Sequence, residues 1–305
     1  MLHLTDGLPL PWRRAVHAAL LGDALGVPHE FKDAHTLPAL GNLQLRMSAS
    51  YPKSHPSVPY GVWSDDGSQM LALLAVLREP AGFSTQRFAT ALLSWLRHAQ
   101  YQAGGVVFDC GLQTHRALEF FERHGQPREF PDTNCGNGSL MRVLPVAALP
   151  AWQGVSEVDA LRIAIAQSEV THNQPYAAVA CALCVELCWI AAADGLAAPQ
   201  VAVQEAVRRL RARELLNAPQ LSRLDDLMAA GVGYWPGGQG SVVNTFWAAL
   251  WAQQGETLSE VLRRAVSLGG DTDTIACVAG ALAGTYMPFD TQSAIWLAQM
   301  DLDGY

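Results

Sequence analysis

Apolar residues recur at spacings of three and four along almost the whole chain, and the apolar–polar alternation typical of β-strands is rare. A spacing of three and four places apolar side chains on one face of an α-helix. The pattern predicts helices over 11–26, 68–77, 85–101, 110–124, 140–149, 158–168, 174–193, 201–213, 242–253, 258–267, 274–286 and 291–300. We therefore expect an all-α protein.

The chain has 305 residues, half of them apolar, and can bury a substantial core. The best candidate for a domain boundary is 215–220, but that stretch is short and candidate site residues lie on both sides of it. We expect residues 1–305 to form one all-α domain. The stretch 26–62 is rich in Pro and His and lacks periodicity, and loops of that length in a compact domain are usually functional or mobile.

Two clusters of acids and hydroxyls lie near opposite ends of the chain: Ser64-Asp65-Asp66 and Asp271-Thr272-Asp273-Thr274. Each follows a loop and begins a predicted helix. Oxygen ligands at this density suit a hard divalent cation such as Mg²⁺, Mn²⁺ or Ca²⁺ and suit Zn²⁺ poorly. If the fold brings the clusters together, metal ions would be needed to neutralise four neighbouring carboxylates.

Either cluster alone could simply begin a helix, because Asp, Ser and Thr are preferred N-caps and the helix dipole favours acids in the first turn. Asp225-Asp226 provides an internal control, since this acidic pair has no neighbouring loop glycine and is expected on a solvated helix face. The two clusters together, beside Gly67 and Gly269-Gly270, favour a composite two-metal site.

A glycine-rich segment, Gly136-Asn137-Gly138-Ser139, precedes the apolar run LMRVLPVAAL. Glycines let backbone N–H groups turn inward, and a helix N-terminus adds positive potential, so this segment could hold a phosphate or diphosphate. It is not a P-loop, because no Gly-Lys-Ser/Thr ending follows. An ordinary loop with an N-cap is the alternative.

Three further residues lie beside predicted helix ends. His172 follows one helix and precedes the next, where it could contact a ligand or cap a helix. Asp109 precedes the predicted helix 110–124, and Glu30 follows a glycine-rich helix end. None of these residues would establish a site by itself.

Composition limits the classes of partner. The net charge of −8 and a pI near 5.5 argue against a nucleic acid as main partner. The N-terminus lacks the order of a signal peptide, and no uninterrupted apolar run of membrane-spanning length is found. Cys181, Cys184 and Cys188 share one helix face and are expected in the core. We expect a cytoplasmic protein with no membrane partner.

Taken in chain order, these segments resemble the ADP-ribosylglycohydrolase family. The similar segments are GDALGVPHEF, WSDDGSQMLAL, FDCGLQTHRAL, GNGSLMRVLPVA, THNQP, SVVNTFWAALWA and GGDTDTIACVAGALAGTYMP. The resemblance covers nearly the whole chain. It implies an all-α orthogonal helical bundle with two Mg²⁺ or Mn²⁺ ions in a cleft.

The resemblance also implies roles for single residues. The family's metal ligands match Ser64, Asp65, Asp66, Asp271, Asp273 and Thr274. Its ADP-ribose contacts match Asn137, Gly138, Ser139, His172 and Gly111. Its catalytic carboxylates match Asp109 and Glu30, together with the metal-binding Asp66 and Asp273.

The activity implied is metal-dependent removal of ADP-ribose from a modified protein side chain. Arginine is the leading candidate for that side chain, and a monomeric enzyme is expected. Hydrolysis of an O-linked adduct and catalytically weak binding of ADP-ribose are the alternatives. The family's usual Gly-Tyr-Val-Val-Asp-Thr becomes Gly240-Ser241-Val242-Val243-Asn244-Thr245 here, and a glycine, Gly67, follows the first acid pair. These departures affect substrate preference and rate rather than the oxygen ligands.

Overall fold

The computed structural model describes residues 2–131, 135–232 and 237–300. Within these ranges the regular structure is helical, and β-pairing is limited to isolated bridges such as that between Asp33 and Gly269. The α-helices, α1 to α14 in chain order, are Leu2–Thr5, Leu10–Gly26, Asp65–Arg78, Thr85–His98, Leu112–His124, Leu144–Gln153, Glu157–Glu169, Pro175–Asp194, Pro199–Ala212, Ala218–Ala230, Val242–Ala252, Leu258–Val266, Thr272–Tyr286 and Thr291–Gln299. The prediction of an all-α protein is confirmed.

Helices α2 and α13 form the most extensive helix pair and contribute to one hydrophobic core. Their backbones approach closely because small residues face each other along the contact. A Cβ atom at Gly26 would lie 2.3 Å from Cα of Asp273, and one at Gly280 would lie 2.3 Å from the backbone oxygen of Ala18. Any side chain at these glycines would push the helices apart. The contact therefore holds the end of α2 against the start of α13.

Helix α8 packs in the core against α7, α9, α10 and α13. By length and composition this helix is apolar enough to cross a membrane, whereas no run of that length was expected from the sequence. Within the fold, 78% of its apolar stretch is buried. Cys181, Cys184 and Cys188 are buried on this helix as free thiols, as predicted.

Every helix predicted from apolar spacing is present, with ends that differ by at most a few residues. Helix α10 was not among the predicted ranges. The stretch expected as a possible domain boundary instead begins this helix, where the side chains of Asn217 and Gln220 each accept a hydrogen bond from the other's backbone N–H. The stretch 215–220 therefore joins α9, which ends at Ala212, to α10, which begins at Ala218.

The control acids lie on the surface of α10. The side chain of Asp225 is 67% exposed and forms an ion pair with Arg211, and Asp226 pairs with Arg223 at 2.6 Å. The expected exposed helix face is confirmed.

The segment between α2 and α3 contains only short 3-10 helices, at Val27–His29, Ala34–Thr36 and Leu40–Asn42. It is fixed to the start of α13 by two backbone hydrogen bonds. The N–H of Phe31 donates to the carbonyl of Gly270 at 2.7 Å, and the N–H of Gly270 donates to the carbonyl of Lys32 at 2.8 Å. This long loop therefore brings its acid, Glu30, to the N-terminus of α13.

Candidate active site

The first acid cluster begins α3. Ser64 is the N-cap, and its hydroxyl accepts from the N–H of Asp66 at 3.3 Å. Asp23 of α2 accepts from the N–H groups of Ser64 and Gly67 at 2.8 to 3.0 Å. A carboxylate from the core helix therefore fixes the N-terminus of α3. Sequence reasoning missed this role, because Asp23 lies within an apolar run and carries no signal of its own.

The second acid cluster begins α13. Asp271 occupies the N-cap position, and the N–H of Thr274 donates to the carboxylate of Asp273 at 2.9 Å. The Thr272 hydroxyl donates to the carbonyl of Gly26 at 2.9 Å. The close approach of α2 and α13 therefore determines where the acids of this cluster lie.

The fold brings the two clusters together. The Thr274 hydroxyl donates to a carboxylate oxygen of Asp66 at 3.3 Å, across 208 residues of sequence. Two overlapping groups of carboxylates have oxygens within 4.8 Å of one another, namely Asp23 with Asp66 and Asp273, and Glu30 with Asp271 and Asp273. The predicted convergence of the clusters is thus observed in the fold. We call these acids, together with Asp65 and Asp109, the acid end of the site.

The acid end carries closely spaced negative charge. Burial, and then the charges of Asp23 and Asp65, raise the pKa of Asp66 well above its ordinary value. Burial and then Glu30 and Asp66 do the same to the pKa of Asp273. Burial raises the pKa of Asp23 to about 7, and burial followed by Asp109 raises the pKa of Glu30 to about 10. Burial and mutual repulsion therefore oppose the ionisation of these carboxyls in the absence of a cation.

These residues fit a hard divalent cation. One carboxylate oxygen of Asp66, Oδ1, is buried and has no hydrogen-bond partner. In the described part of the chain, none of the acids of the acid end forms an ion pair with a lysine or arginine, and Glu30 pairs only with His55. Grouped carboxylate oxygens without a protein cation are the donor set that Mg²⁺ or Mn²⁺ prefers.

A cleft of about 410 Å³ opens beside the acid end. Of the predicted site residues, those that line it are Glu30, Asp65, Asp109, Gly111, Asn137, Gly138, His172, Asp271 and Thr274. Those that do not line it are Ser64, Asp66, Ser139 and Asp273, which are buried. One cleft therefore collects residues from both acid clusters, the glycine-rich segment and the loop before α8.

The glycine-rich segment lies along the cleft without a following helix N-terminus. Helix α6 begins at Leu144 and not at the predicted position 140. Pro145 explains the difference, because in a helix from 140 it would lie in the interior and remove a backbone hydrogen bond, whereas it is tolerated in the first turn. The amide of Asn137 donates to the Asp271 carboxylate at 2.6 Å and to the Thr245 hydroxyl at 2.8 Å. This segment is therefore tied to the acid end by a side chain.

Ser139 points away from the predicted ligand. Its side chain is fully buried, and its hydroxyl shares a 2.8 Å hydrogen bond with that of Ser168. The expected contact of Ser139 with ADP-ribose therefore does not involve a side chain that faces the cleft.

His172 lies behind the two glycines of the segment. A Cβ atom added at Gly136 would lie 3.1 Å from Nε2 of His172, and one added at Gly138 would lie 3.2 Å from the same atom. Glycine at both positions therefore allows this close approach. Nδ1 of His172 hydrogen-bonds to the Thr171 hydroxyl at 2.8 Å. Burial, followed by the charge of Arg142, lowers the pKa of His172 to about 3. Burial therefore favours the neutral imidazole, and because Nδ1 is bonded to Thr171, Nε2 is the ring nitrogen left for a ligand in the cleft that His172 helps to line.

Asp109 and Gly111 lie at the acid end. The N–H of Gly111 donates to the carboxylate of Asp65, and burial raises the pKa of Asp109 while the nearby His55 lowers it. His55 also hydrogen-bonds through Nε2 to Glu30 at 2.7 Å. Sequence reasoning missed His55, because the loop around it has no periodicity or motif.

Two more glycines of the cleft were not predicted. A Cβ atom at Gly238 would lie 1.7 Å from the carbonyl oxygen of Gly269, and one at Gly240 would lie 2.9 Å from the Asp271 carboxylate. The Gly-Gly-Gln-Gly sequence before α11 was the available signal. These glycines let the backbone run directly beside the second acid cluster.

The sequence pattern of the ADP-ribosylglycohydrolase family matches residues 12–303. The chain belongs to the ADP-ribosylglycohydrolase family. A solved structure of an ADP-ribosylglycohydrolase-related protein complex superposes on this family member with a TM-score of 0.72 at 29% identity, over 96% of this chain and 94% of the other. The membership and the all-α family fold that the sequence motifs implied are confirmed, and the chain is a hydrolase of this family.

Two curated relatives cover most of this ADP-ribosylglycohydrolase. The ADP-ribosylarginine hydrolase Tri1 of Pseudomonas putida (strain GB-1) is 30% identical over 295 residues, which are 92% of this chain and 71% of the relative. The enzyme of the same name from Serratia proteamaculans (strain 568) is 25% identical over 291 residues, which are 92% of this chain and 72% of the relative.

The two departures of this ADP-ribosylglycohydrolase from its family's usual motif have structural roles. Ser241 is the N-cap of α11 and accepts from the N–H of Asn244 at 3.2 Å. Asn244 in turn accepts from the N–H of Gln239 at 3.0 Å. Both side chains therefore hold the loop that carries Gly240 along the cleft.

Proposed function

We propose that this ADP-ribosylglycohydrolase is a metal-dependent enzyme that releases ADP-ribose from modified arginine side chains of a protein. The observation that carries the proposal is the convergence of two acid clusters, linked by Thr274 and Asp66, beside a cleft that is also lined by His172 and a glycine-rich backbone. Grouped carboxylates suit cations, and a glycine-rich backbone beside a histidine allows a diphosphate to approach closely.

Two observations support arginine as the modified residue. Of the carboxyl groups that line the cleft, those of Glu30 and Asp109 are not among the predicted metal ligands, and a guanidinium leaving group could hydrogen-bond to them. The relatives of 30% and 25% identity are named ADP-ribosylarginine hydrolases. A serine hydroxyl would gain no comparable attraction.

Two Mg²⁺ or Mn²⁺ ions would be held by the predicted ligands Ser64, Asp65, Asp66, Asp271, Asp273 and Thr274, with Asp23 and Glu30 close to them. When bound, such ions orient ribose hydroxyls and lower the pKa of a water molecule. The unpartnered oxygen of Asp66 and the raised pKa values of Asp65, Asp66 and Asp273 support this assignment.

The residues that line the cleft would bind the ligand and transfer protons. His172 and the backbone of Gly136 and Gly138 would bind the diphosphate, so that binding energy distant from the reacting carbon orients the ribose. Water adds to the anomeric carbon as its bond to the arginine nitrogen breaks. Glu30 and Asp109 are the carboxyls placed to take the proton from water and to supply one to the leaving nitrogen.

The test is release of arginine from an ADP-ribosylated arginine peptide with Mg²⁺ or Mn²⁺, in parallel with serine-linked and O-acetylated ADP-ribose. We expect fastest turnover on the arginine linkage and loss of turnover with EDTA. Turnover that is faster on an O-linked substrate would overturn the assignment of the leaving group. Tight binding of ADP-ribose without hydrolysis of any linkage would instead identify a binding protein of this fold, as the changes at Ser241 and Asn244 would then explain.

A further inference from the structure

Arg142 lies in the turn that follows the glycine-rich segment, and its side chain is fully buried behind the cleft. Its guanidinium makes four hydrogen bonds of 2.7 to 3.0 Å, to the Gln167 side chain and carbonyl, the Gln69 side chain and the Thr171 hydroxyl. Among the described residues no carboxylate pairs with it. Burying a charge without an ionic partner costs free energy, so the hydrogen bonds to its neutral partners must compensate for the lost hydration.

Guanidinium only donates, so each neutral partner has to accept, and this fixes where the partner's own hydrogens lie. Thr171 accepts from Arg142 at 2.8 Å, and its hydroxyl has one further neighbour among the described residues, Nδ1 of His172 at 2.8 Å. If the hydroxyl accepted from both neighbours, its own buried hydrogen would have no partner among them, so the arrangement that satisfies it directs the hydrogen at Nδ1. A neutral imidazole that accepts at Nδ1 carries its hydrogen on Nε2.

The same reasoning applies to two glutamines. Gln69 accepts from Arg142 at 2.7 Å through its oxygen, so its amide nitrogen is the atom that donates to Asp65 at 3.1 Å. Gln167 accepts from Arg142 at 3.0 Å, and its nitrogen donates to the carbonyl of Ser139 at 3.1 Å. One buried donor thus orients hydrogen bonds that reach the acid end, the glycine-rich segment and His172.

We propose that Arg142 is a positioning residue that makes His172 a hydrogen-bond donor from Nε2 into the cleft and holds Asp65 through Gln69. The inference rests on the proposed function for the anion that His172 meets, a diphosphate, and for the cation that Asp65 holds. A deprotonated Nε2 would present a lone pair to that anion and repel it. The orientation of the Thr171 hydroxyl therefore decides whether His172 attracts or rejects the ligand.

The experiment uses variants that remove one branch each. Thr171→Val keeps the shape and removes the branch to His172 together with one acceptor of Arg142, and Gln69→Met removes the branch to Asp65 together with another. Thr285→Val is the matched control, because Thr285 is equally buried but its hydroxyl bonds within α13 to Leu282. Arg142 itself is not replaced, because a variant at that buried position could fail to fold.

The first measurement is the ¹⁵N chemical shift of the His172 ring nitrogens at pH 7 without ligand, assigned by loss of the signals in His172→Gln. We expect a protonated Nε2 and an unprotonated Nδ1 in the parent and in Thr285→Val, and a mixture of tautomers in Thr171→Val. A parent protein with its hydrogen on Nδ1 would overturn the proposal.

The second measurement is calorimetry with ADP-ribose and, separately, with Mn²⁺ alone. We expect Thr171→Val to weaken ADP-ribose binding about tenfold with Mn²⁺ affinity unchanged, and Gln69→Met to weaken Mn²⁺ binding. If neither variant differs from Thr285→Val in either affinity, Arg142 is only structural and the proposal fails. Hydrolysis is not a readout, so a parent with the expected tautomer and no turnover would count against the proposed function alone.

Discussion

Replacement of Glu30 by Gln should stabilise the metal-free protein while impairing turnover. Burial and the neighbouring acids raise the pKa of Glu30 from 4.5 to about 10. A raised acid pKa destabilises the fold progressively as the pH rises above the unfolded value of 4.5. Since one pKa unit corresponds to about 1.4 kcal/mol, keeping the proton at pH 7 costs the fold about 3 kcal/mol. Gln has no such cost, and its amide can still reach His55.

The assay is thermal unfolding of the EDTA-treated protein at pH 4.5 and pH 7. With an unfolding entropy of about 2 cal/mol/K per residue, we expect a gain of roughly 5 °C at pH 7 and almost none at pH 4.5. Turnover should fall by about 10²- to 10⁴-fold if Glu30 transfers a proton. A variant that is destabilised at pH 7, or stabilised equally at both pH values, would refute the argument that its neighbours oppose the ionisation of Glu30.

The remaining predictions use the same assays. Asp66→Asn and Asp273→Asn should each abolish turnover and the rise in melting temperature caused by Mn²⁺. Both variants should remain folded by circular dichroism, and unchanged activity in both would refute the two-metal site. Asp225→Asn should change stability by no more than about 0.5 kcal/mol and leave activity intact, because the acid is exposed. A loss of activity as large as that of Asp273→Asn would show that the active site is wrongly assigned. The metal-free protein should lose stability from pH 5 to pH 8, since folded Asp23, with a pKa of about 7, and folded Glu30 hold protons that the unfolded chain has already released, whereas saturating Mn²⁺ should flatten or reverse this slope; equal slopes would contradict it.

The parts of the site that sequence could predict are those with a local signal. Ser64 and the acids after it combine a capping hydroxyl, carboxylates and a glycine at a helix start, and the cluster at Asp271 repeats that combination. Their convergence required the fold, because it depends on the fit of Gly26 against Asp273. The predicted helix start at position 140 was wrong, because the prediction followed apolar spacing and did not use Pro145, which favours a start just before it.

Other residues had no local signal to read. His55 lies in a loop without periodicity, and Asp23 lies in a helix whose pattern reads as core. Arg142 stands within a recognised motif, but its partners, Gln69 and Thr171, come from distant segments. Buried hydrogen-bond networks of this kind depend on three-dimensional neighbours that spacing cannot reveal.

The contact between Thr274 and Asp66 also bears on biosynthesis. The ribosome must add 208 residues after the first cluster before the second exists, which takes roughly 10 to 40 s at about 5–20 residues per second. During that interval the face of α2 that later receives α13 has no partner, and the nascent chain presents apolar surface that holdase chaperones bind. A translation product that stops before α13 would therefore be an aggregation hazard with no partial activity.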